Sequence, residues 1–543
     1  DHTSIELLQF LLASLSQAPI LVIAISRPFE LGALGKLLKW SRLNLGPQFV
    51  SIQLQNLTAE ESEQLLYQLL SIPDLPESLR ETILQRSAGI PFYLEEILRM
   101  LMDQQLIQRE KGRWSLAPNI DTASLGVPAT LQELILARFD QLDPVQRAIL
   151  QAASVLGHQF SLTLLKTVLV TVDEKCKDEF LFLVAFSLLM DRAFLVPCPE
   201  SANQEYRFKQ VLVSDTIYNT LLKRERSHLH GVAAEAIEAL YADRLDEQIE
   251  ILASHYQRST NLERALHYLL LAGQKASREY ANSQARQYFE QALALLGHTP
   301  HTAEQALQVR MGLGNVLVFI GEYASALEQY QEALNIITAA GAGRFTRERS
   351  ELHRRMSTAY ERQGDYSQAI QCLALAQQTL DEIHIALPIE RALILNDTGW
   401  INFRQGNLEE AEQRLVQALA LIENTARNDV IASIYNRLGG VYYQKDQVDL
   451  ASEYVGKSLK LREEIGDIVG AARSCNNLGL LSWKRGEWGQ ALENFTRSVA
   501  LHANLGDVEG MIELHSNLGL LLIDQGESEE AQKHLSEALA KPH

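Results

Sequence analysis

TGWINFRQGN at 398–407, LGGVYYQKDQ at 438–447, LGLLSWKRGE at 478–487 and LGLLLIDQGE at 518–527 are four versions of one text. Their glycines, Gly399, Gly439, Gly479 and Gly519, stand forty residues apart. A fixed period of this size marks stacked helical hairpins, each too small to bury its own apolar face. Twelve residues after each glycine comes an alanine: Ala411, Ala451, Ala491 and Ala531. Seven residues further on stands a second small residue: Ala418, Ser458, Ser498 and Ala538. The same template, run backwards, finds Ser357 with Ala369 and Ala376, Gly314 with Ala326 and Ala333, and Gly273 with Ala285 and Ala292. Seven copies result, spaced 41, 43, 42, 40, 40 and 40.

Small residues at fixed offsets belong where paired helices cross closely. Large side chains such as Tyr330, Tyr360, Tyr442 and Phe495 then fill the grooves between them. Leu438-Gly439-x-x-Tyr442, with Ala491-x-x-x-Phe495 and Ala326-x-x-x-Tyr330, resembles the tetratricopeptide repeat over about half of the chain. The unit exceeds the usual 34 residues by roughly six, all after the second small residue, so longer second helices are expected. This half therefore reads as a binding solenoid, with a protein or peptide as its expected partner.

Composition fits a cytoplasmic, mostly helical protein of about three or four domains. The chain has 543 residues, 46% of them hydrophobic. The longest apolar run, Ile20 to Ile25, is too short to span a membrane. The cysteines, Cys176, Cys198, Cys372 and Cys475, lack metal-type spacing and read as reduced thiols. A formal charge of −19 argues against nucleic acid, which needs clustered Lys and Arg. The local cluster at 223–226 reads as a solvated helix face.

The amino-terminal part follows different logic. DHTSIELLQFLL at 1–12 is an amphipathic helix pattern, and APILVIAISRP at 18–28 reads as a buried parallel strand. FVSIQLQNL at 49–57 reads as another strand, and TAEESEQLLYQLL at 58–70 as a helix with Glu61 in a capping box. Two strands do not complete an α/β sheet, and no initiating Met is present, so further sequence is expected upstream. The end at KPH, short of a polar capping helix, is expected to be a cut as well.

Ile25-Ser26-Arg27-Pro28, GIPFYLEEIL at 89–98, VPATLQELILARFDQL at 127–142 and ILQAASVLGHQFSLTLL at 149–165 follow in an order that resembles a STAND-type signalling ATPase module. Such modules (signal-transduction ATPases with numerous domains) are attached to class III adenylate/guanylate cyclases, bacterial kinases and helix-turn-helix regulators. The resemblance implies that Arg27 is a sensor arginine for a γ-phosphate, and that Gly89 and Pro91 form a G-x-P turn near the adenine. A salt bridge, and a plain helix-starting turn, are their ordinary structural alternatives. It also implies a P-loop upstream, so ATP and magnesium are expected only in a longer parent, with no cofactor for this chain alone. Residues 126–235 resemble the winged-helix domain that follows such modules. There Phe208-Lys209-Gln210-Val211-Leu212 carries Gln210 where relatives have a histidine.

The expected fold is mainly α. A C-terminal part of an ATPase module (1–125) precedes a winged-helix-like domain (126–235), a helical linker with the first repeat (236–300), and a tetratricopeptide solenoid (301–543). The packing residues of the repeats are Gly273, Gly314, Ala326, Ala369, Gly399, Ala411, Gly439, Ala451, Gly479, Ala491, Gly519 and Ala531. No catalytic or metal site emerges. GALGKLL at 32–38 lacks the spacing and the Ser/Thr of a phosphate loop. His228 and His230 lie two apart and diverge on a helix. Arg138 reads as a structural partner of Asp140 or Asp143. The favoured function is signal transduction: a repeat arm that senses a partner and controls an output domain outside the chain, such as a nucleotide cyclase or kinase. A stand-alone scaffold and a LuxR-like transcriptional regulator are the alternatives.

Overall fold

The computed structural model describes residues 5, 8–9, 11–12, 20–25, 33–70, 75–110, 113–116, 127–172, 174–198, 204–341, 343–382, 387–502 and 508–539. The chain divides into two units, Asp1–Asn261 and Leu262–His543. It is mainly α, as its repeat text predicts.

In the first unit, helix Ala59–Leu70 starts at the expected box. Thr58 N donates to Glu61 Oε2 at 2.8 Å, and Glu61 N donates to Thr58 Oγ1 at 3.2 Å. Helices Glu77–Ser87 and Pro91–Asp103 follow, burying Leu66, Ile83, Leu94 and Ile97 in one core. A short antiparallel hairpin, β1 (Ile107–Glu110) with β2 (Arg113–Leu116), comes next. Helices Leu131–Asp140, Pro144–Leu156, Leu162–Val172 and Glu179–Asp191 then pack with a three-stranded sheet of order β3-β5-β4. Its strands are β3 (Gln159–Ser161), β4 (Leu195–Pro197) and β5 (Glu205–Phe208), all antiparallel. Ile149, Leu165, Phe182 and Phe208 fill the core beneath. Helices followed by a small hairpin are the elements expected of a winged helix.

Neither expected parallel strand is a strand in its described residues; 18–19 and 26–28 of the first lie outside them. Residues 20–25 and 49–57 have no regular structure, and Leu21, Ile25, Ile52 and Leu54 are exposed. A parallel strand is buried by neighbours on both sides. Among the described residues, no segment pairs with either stretch.

Among its described residues, the second unit forms seven helical hairpins. Their first helices are Leu262–Arg278, Ala303–Phe319, Thr346–Arg362, Pro388–Arg404, Asn428–Gln444, Ile468–Lys484 and Val508–Gln525. Their second helices are Asn282–Leu296, Tyr323–Ala340, Tyr366–Asp381, Leu408–Ile422, Val448–Ile465, Trp488–His502 and Ser528–Leu539. Every first helix begins eleven residues before its glycine or serine, and every second helix nine residues after it. The second helices span 12 to 18 residues and the first 17 or 18. The additional residues are shared between the end of one hairpin and the start of the next.

In the structure the small residues lie where the paired helices approach each other. A Cβ on Gly273 would lie 2.9 Å from the Phe289 ring; on Gly314, 2.4 Å from Tyr330; on Gly479, 2.5 Å from Phe495. Gly399, Gly439 and Gly519 meet Leu415, Val455 and Leu535 in the same way. Each partner lies sixteen residues downstream. Ala326, Ala369, Ala411, Ala451, Ala491 and Ala531 are buried at the same crossings. The second small position adds a hydrogen bond where it is serine: Ser458 Oγ donates to Ala432 O at 2.7 Å, and Ser498 Oγ to Ala472 O at 2.6 Å.

One periodic position escaped the sequence reading. Seven residues after each phase residue the backbone turns left-handed between the helices, at Tyr280, Gly321, Gly364, Gly406, Asp446, Gly486 and Gly526. Glycine suits this conformation. Tyr280 and Asp446 break the pattern and hide it from inspection.

Candidate functional site: the face of the first helices

In the solenoid, successive first helices approach each other more closely than successive second helices do. The stack therefore curls with its first helices inside, and their polar residues share one face. Across the third to fifth repeats this face opens into a cleft of about 350 Å³. Arg347, Glu351, Arg354 and Arg355 line one wall, Glu390 and Leu393 the next, and Arg427 and Asp429 the third.

A hydrogen-bonded ladder crosses the repeats here. Tyr330 Oη donates to Asn315 Oδ1 at 2.8 Å, and Arg355 donates to the same oxygen. Arg355 also pairs with Glu351 through Nε at 3.0 Å. Asp397 takes Arg354 on Oδ2 at 2.8 Å and Arg437 on Oδ1 at 2.9 Å, while Arg437 also donates to Asn396 O. Asn477 Nδ2 then donates to Asn436 Oδ1 at 3.1 Å, and Asn517 Nδ2 to Asn476 Oδ1 at 3.0 Å. Burial raises the Asp397 carboxyl pKa, but Arg354 and Arg437 outweigh it and hold the value below the ordinary one. The same contest at Glu351, with Arg355, Arg354 and Arg347, also ends below the ordinary value. Both carboxylates stay ionised, which fixes the guanidinium groups in place.

Arg437 serves twice, since its Cζ lies 5.4 Å from the Trp400 ring centroid. Trp400 Nε1 donates to Glu361 Oε1 at 3.1 Å. Guanidinium groups, paired amides and an aromatic ring thus line one inner surface. Chemically this surface offers donors and acceptors on a fixed helical grid. Sequence reading located the helices but missed the ladder, because most of its members fall two or three residues before a phase residue and change between Arg, Asp and Asn along the repeats.

Of the residues expected to touch nucleotide, Arg27 lies outside the described residues. Gly89 and Pro91 sit in one turn, whose shape the backbone explains. Gly89 has φ +74°, and a Cβ there would lie 2.2 Å from Leu57 O. Leu57 N donates to Gly89 O at 2.7 Å, Asn56 Nδ2 donates to Ala88 O at 3.1 Å, and Pro91 occupies the first turn of its helix. Gly35 and Lys36 lie within helix Ala33–Asn44, so they form no phosphate loop. Gln210 is an exposed N-cap residue without a side-chain capping bond.

Arg138 departs from its expected partners. It pairs with Glu96, reaches Asp103 Oδ2 at 2.8 Å and Arg192 O at 2.8 Å, and stacks 4.6 Å from the Phe194 ring centroid. Asp143 is instead engaged as the N-cap of the next helix, accepting from Val145 N and Gln146 N, and Asp140 is exposed. Glu96 is buried, while its neighbour Glu95 points to Lys209 Nζ at 2.8 Å.

His228 and His230 diverge as expected, but His230 finds another histidine. His230 Nδ1 and His255 Nδ1 are 2.9 Å apart, and Tyr218 Oη meets His230 Nε2 at 2.9 Å. Burial first, then neighbouring positive charge, pushes His230 down to about 3 and His255 to about 4. Unfolded histidines titrate near 6.5, so the unfolded chain binds more protons between these values. Stability is complete above about pH 6.5 and is lost as pH falls towards 4. Urea unfolding at pH 7.5 and 4.5 should differ by ~2 kcal/mol or more from this pair, and His255→Asn should flatten the difference.

The similarities of the chain to known proteins agree with this architecture. Tetratricopeptide-repeat family models match residues 354–424, 430–504 and 468–541. Residues 58–115 match a domain of unknown function, DUF8739. A protein of Rhizobium meliloti (strain 1021) described as uncharacterized is 26% identical over 341 residues, 62% of this chain and 31% of that protein. The chain thus spans about a third of the length of that curated relative. Among solved structures, the signal transduction ATPase with numerous domains (STAND) protein with a tetratricopeptide repeat sensor from Pyrococcus horikoshii has a TM-score of 0.57 at 12% identity, covering 100% of this chain and 78% of that one. Aspartyl phosphate phosphatase F from Bacillus subtilis has a TM-score of 0.43 at 14% identity, covering 73% of this chain and 93% of that one. None of the described helices is long and apolar enough to cross a membrane. The chain carries tetratricopeptide repeats in a mainly α fold like that of a STAND protein with a repeat sensor.

Proposed function

We propose that this chain is the sensing part of a cytoplasmic signal-transduction protein. Its solenoid binds an extended peptide or protein segment on the face of the first helices. That binding controls an output domain outside these 543 residues, such as a nucleotide cyclase or kinase. ATP and magnesium, in this reading, belong to a longer parent. The observation that carries the reading is the ladder from Asn315 to Asn517. Amide and guanidinium groups repeated from hairpin to hairpin offer polar contacts to the main chain of an extended peptide. Pre-paired arginines lose little side-chain entropy on binding. A helical stack with this inner surface favours a peptide over a small molecule, because the grid extends over six hairpins.

Panning a random-peptide display library against the whole chain tests this. Enriched peptides should bind at least ~10-fold more weakly to Asn436→Ala/Asn477→Ala, about 1.4 kcal/mol. Enriched peptides that bind this variant as well as the natural chain would contradict the assignment of the face.

A further inference from the structure

In the fifth and seventh hairpins, three positions lie together across the two helices: four residues before the phase residue, fifteen after it and eighteen after it. In the fifth repeat they hold Tyr435, Tyr454 and Lys457, with Lys457 Nζ 5.2 Å from the Tyr454 ring centroid. In the seventh they hold His515, His534 and Glu537. Among the described residues, these three form the one group of His, Cys, Asp and Glu able to hold a metal ion.

The geometry points to a transition-metal site there, of the zinc class, which would tie helix Val508–Gln525 to helix Ser528–Leu539. His515 Nδ1 and His534 Nδ1 are 3.0 Å apart, and His515 Nδ1 is 3.2 Å from Glu537 Oε2. One ligand atom from each residue lies within 4.8 Å of the others. Zinc binds nitrogen and carboxylate oxygen at about 2.0–2.2 Å, so neighbouring donors of a tetrahedral ion stand about 3.3 Å apart. Two edges of that figure are therefore nearly formed. The His515 side chain is buried, and Glu537 is half exposed. Two imidazoles and one carboxylate make a three-ligand set with the fourth position open towards water. Imidazole and carboxylate together suit zinc rather than calcium or magnesium, which take oxygen donors.

Binding needs both Nδ1 lone pairs aimed at the ion. The proton shared in the 3.0 Å contact then moves to Nε2 or leaves to solvent. The ion would stabilise the hairpin in proportion to its occupancy.

Titrating the whole, chelator-treated chain with zinc chloride in a calorimeter tests this, with cobalt(II) as the spectroscopic stand-in. One strong equivalent is expected, with a rise in melting temperature and the visible absorption of four-coordinate cobalt. Glu537→Gln should bind at least ~10-fold more weakly. His534→Asn should lose the strong equivalent while keeping the metal-free circular dichroism spectrum, and exposed His228→Ala should retain it. Equal affinity in His534→Asn and the natural chain, or no strong equivalent in the natural chain, overturns the site.

Discussion

Replacing Arg138 with Ala should lower unfolding stability by ~3–5 kcal/mol, among the largest effects of any single change in the first unit. Arg138 and Glu96 are each only 2% exposed, and Asp103 lies beside them. Removing the guanidinium leaves two carboxylates in a low-dielectric pocket, with Arg99 3.5 Å from Glu96 as a poorer substitute. The carbonyl of Arg192 also loses its donor. The cost is therefore that of stranded partners rather than the net worth of the pair. Triple replacement, Arg138→Met with Glu96→Leu and Asp103→Leu, should recover most of the loss, because well-packed apolar groups often replace buried ions without penalty. Chemical denaturation of the two variants checks both statements. If Arg138→Ala unfolds within 1 kcal/mol of the natural chain, the buried network is not structural.

Gly439→Ala is the second. A Cβ at this position would stand 2.3 Å from Val455 Cγ2 and 3.2 Å from Ala451 O. In an open helix the same change would help by up to ~1 kcal/mol. Here overpacking should reverse the sign and destabilise by ~1–3 kcal/mol, since Val455 is buried and β-branched and has few rotamers to escape into. Adding Val455→Ala should make the two changes couple favourably by ~1 kcal/mol or more in a double-mutant cycle. Additive changes would show that the two helices do not cross at this pair.

These residues also show what the sequence discloses and what it hides. The glycine comb was legible because close crossings admit only small side chains, and the crossings recur with the repeat. Glu61 was legible because a capping box is local. Arg138 was not, since its partners lie 35 to 54 residues away and are chosen by tertiary packing. The apolar runs at 20–25 and 49–57 carry strand composition, yet a strand also needs a neighbour that composition does not supply. The inner-face ladder was hidden for a third reason. Its members, Arg354, Asp397, Arg437 and Asn477, change in type along the repeats, and only Asn396, Asn436 and Asn476 keep one type at one position. The histidines at 515 and 534 were hidden by nineteen residues and a turn, although the repeat register places them opposite each other.

Amide hydrogen exchange on the whole chain, with and without a peptide selected for binding, tests the central claim most directly. The account predicts that protection concentrates in the first helices Thr346–Arg362, Pro388–Arg404, Asn428–Gln444 and Ile468–Lys484. The second helices of the same repeats should change little. Protection confined to the second helices, or to the first unit, would contradict the assignment of the first-helix face as the binding surface.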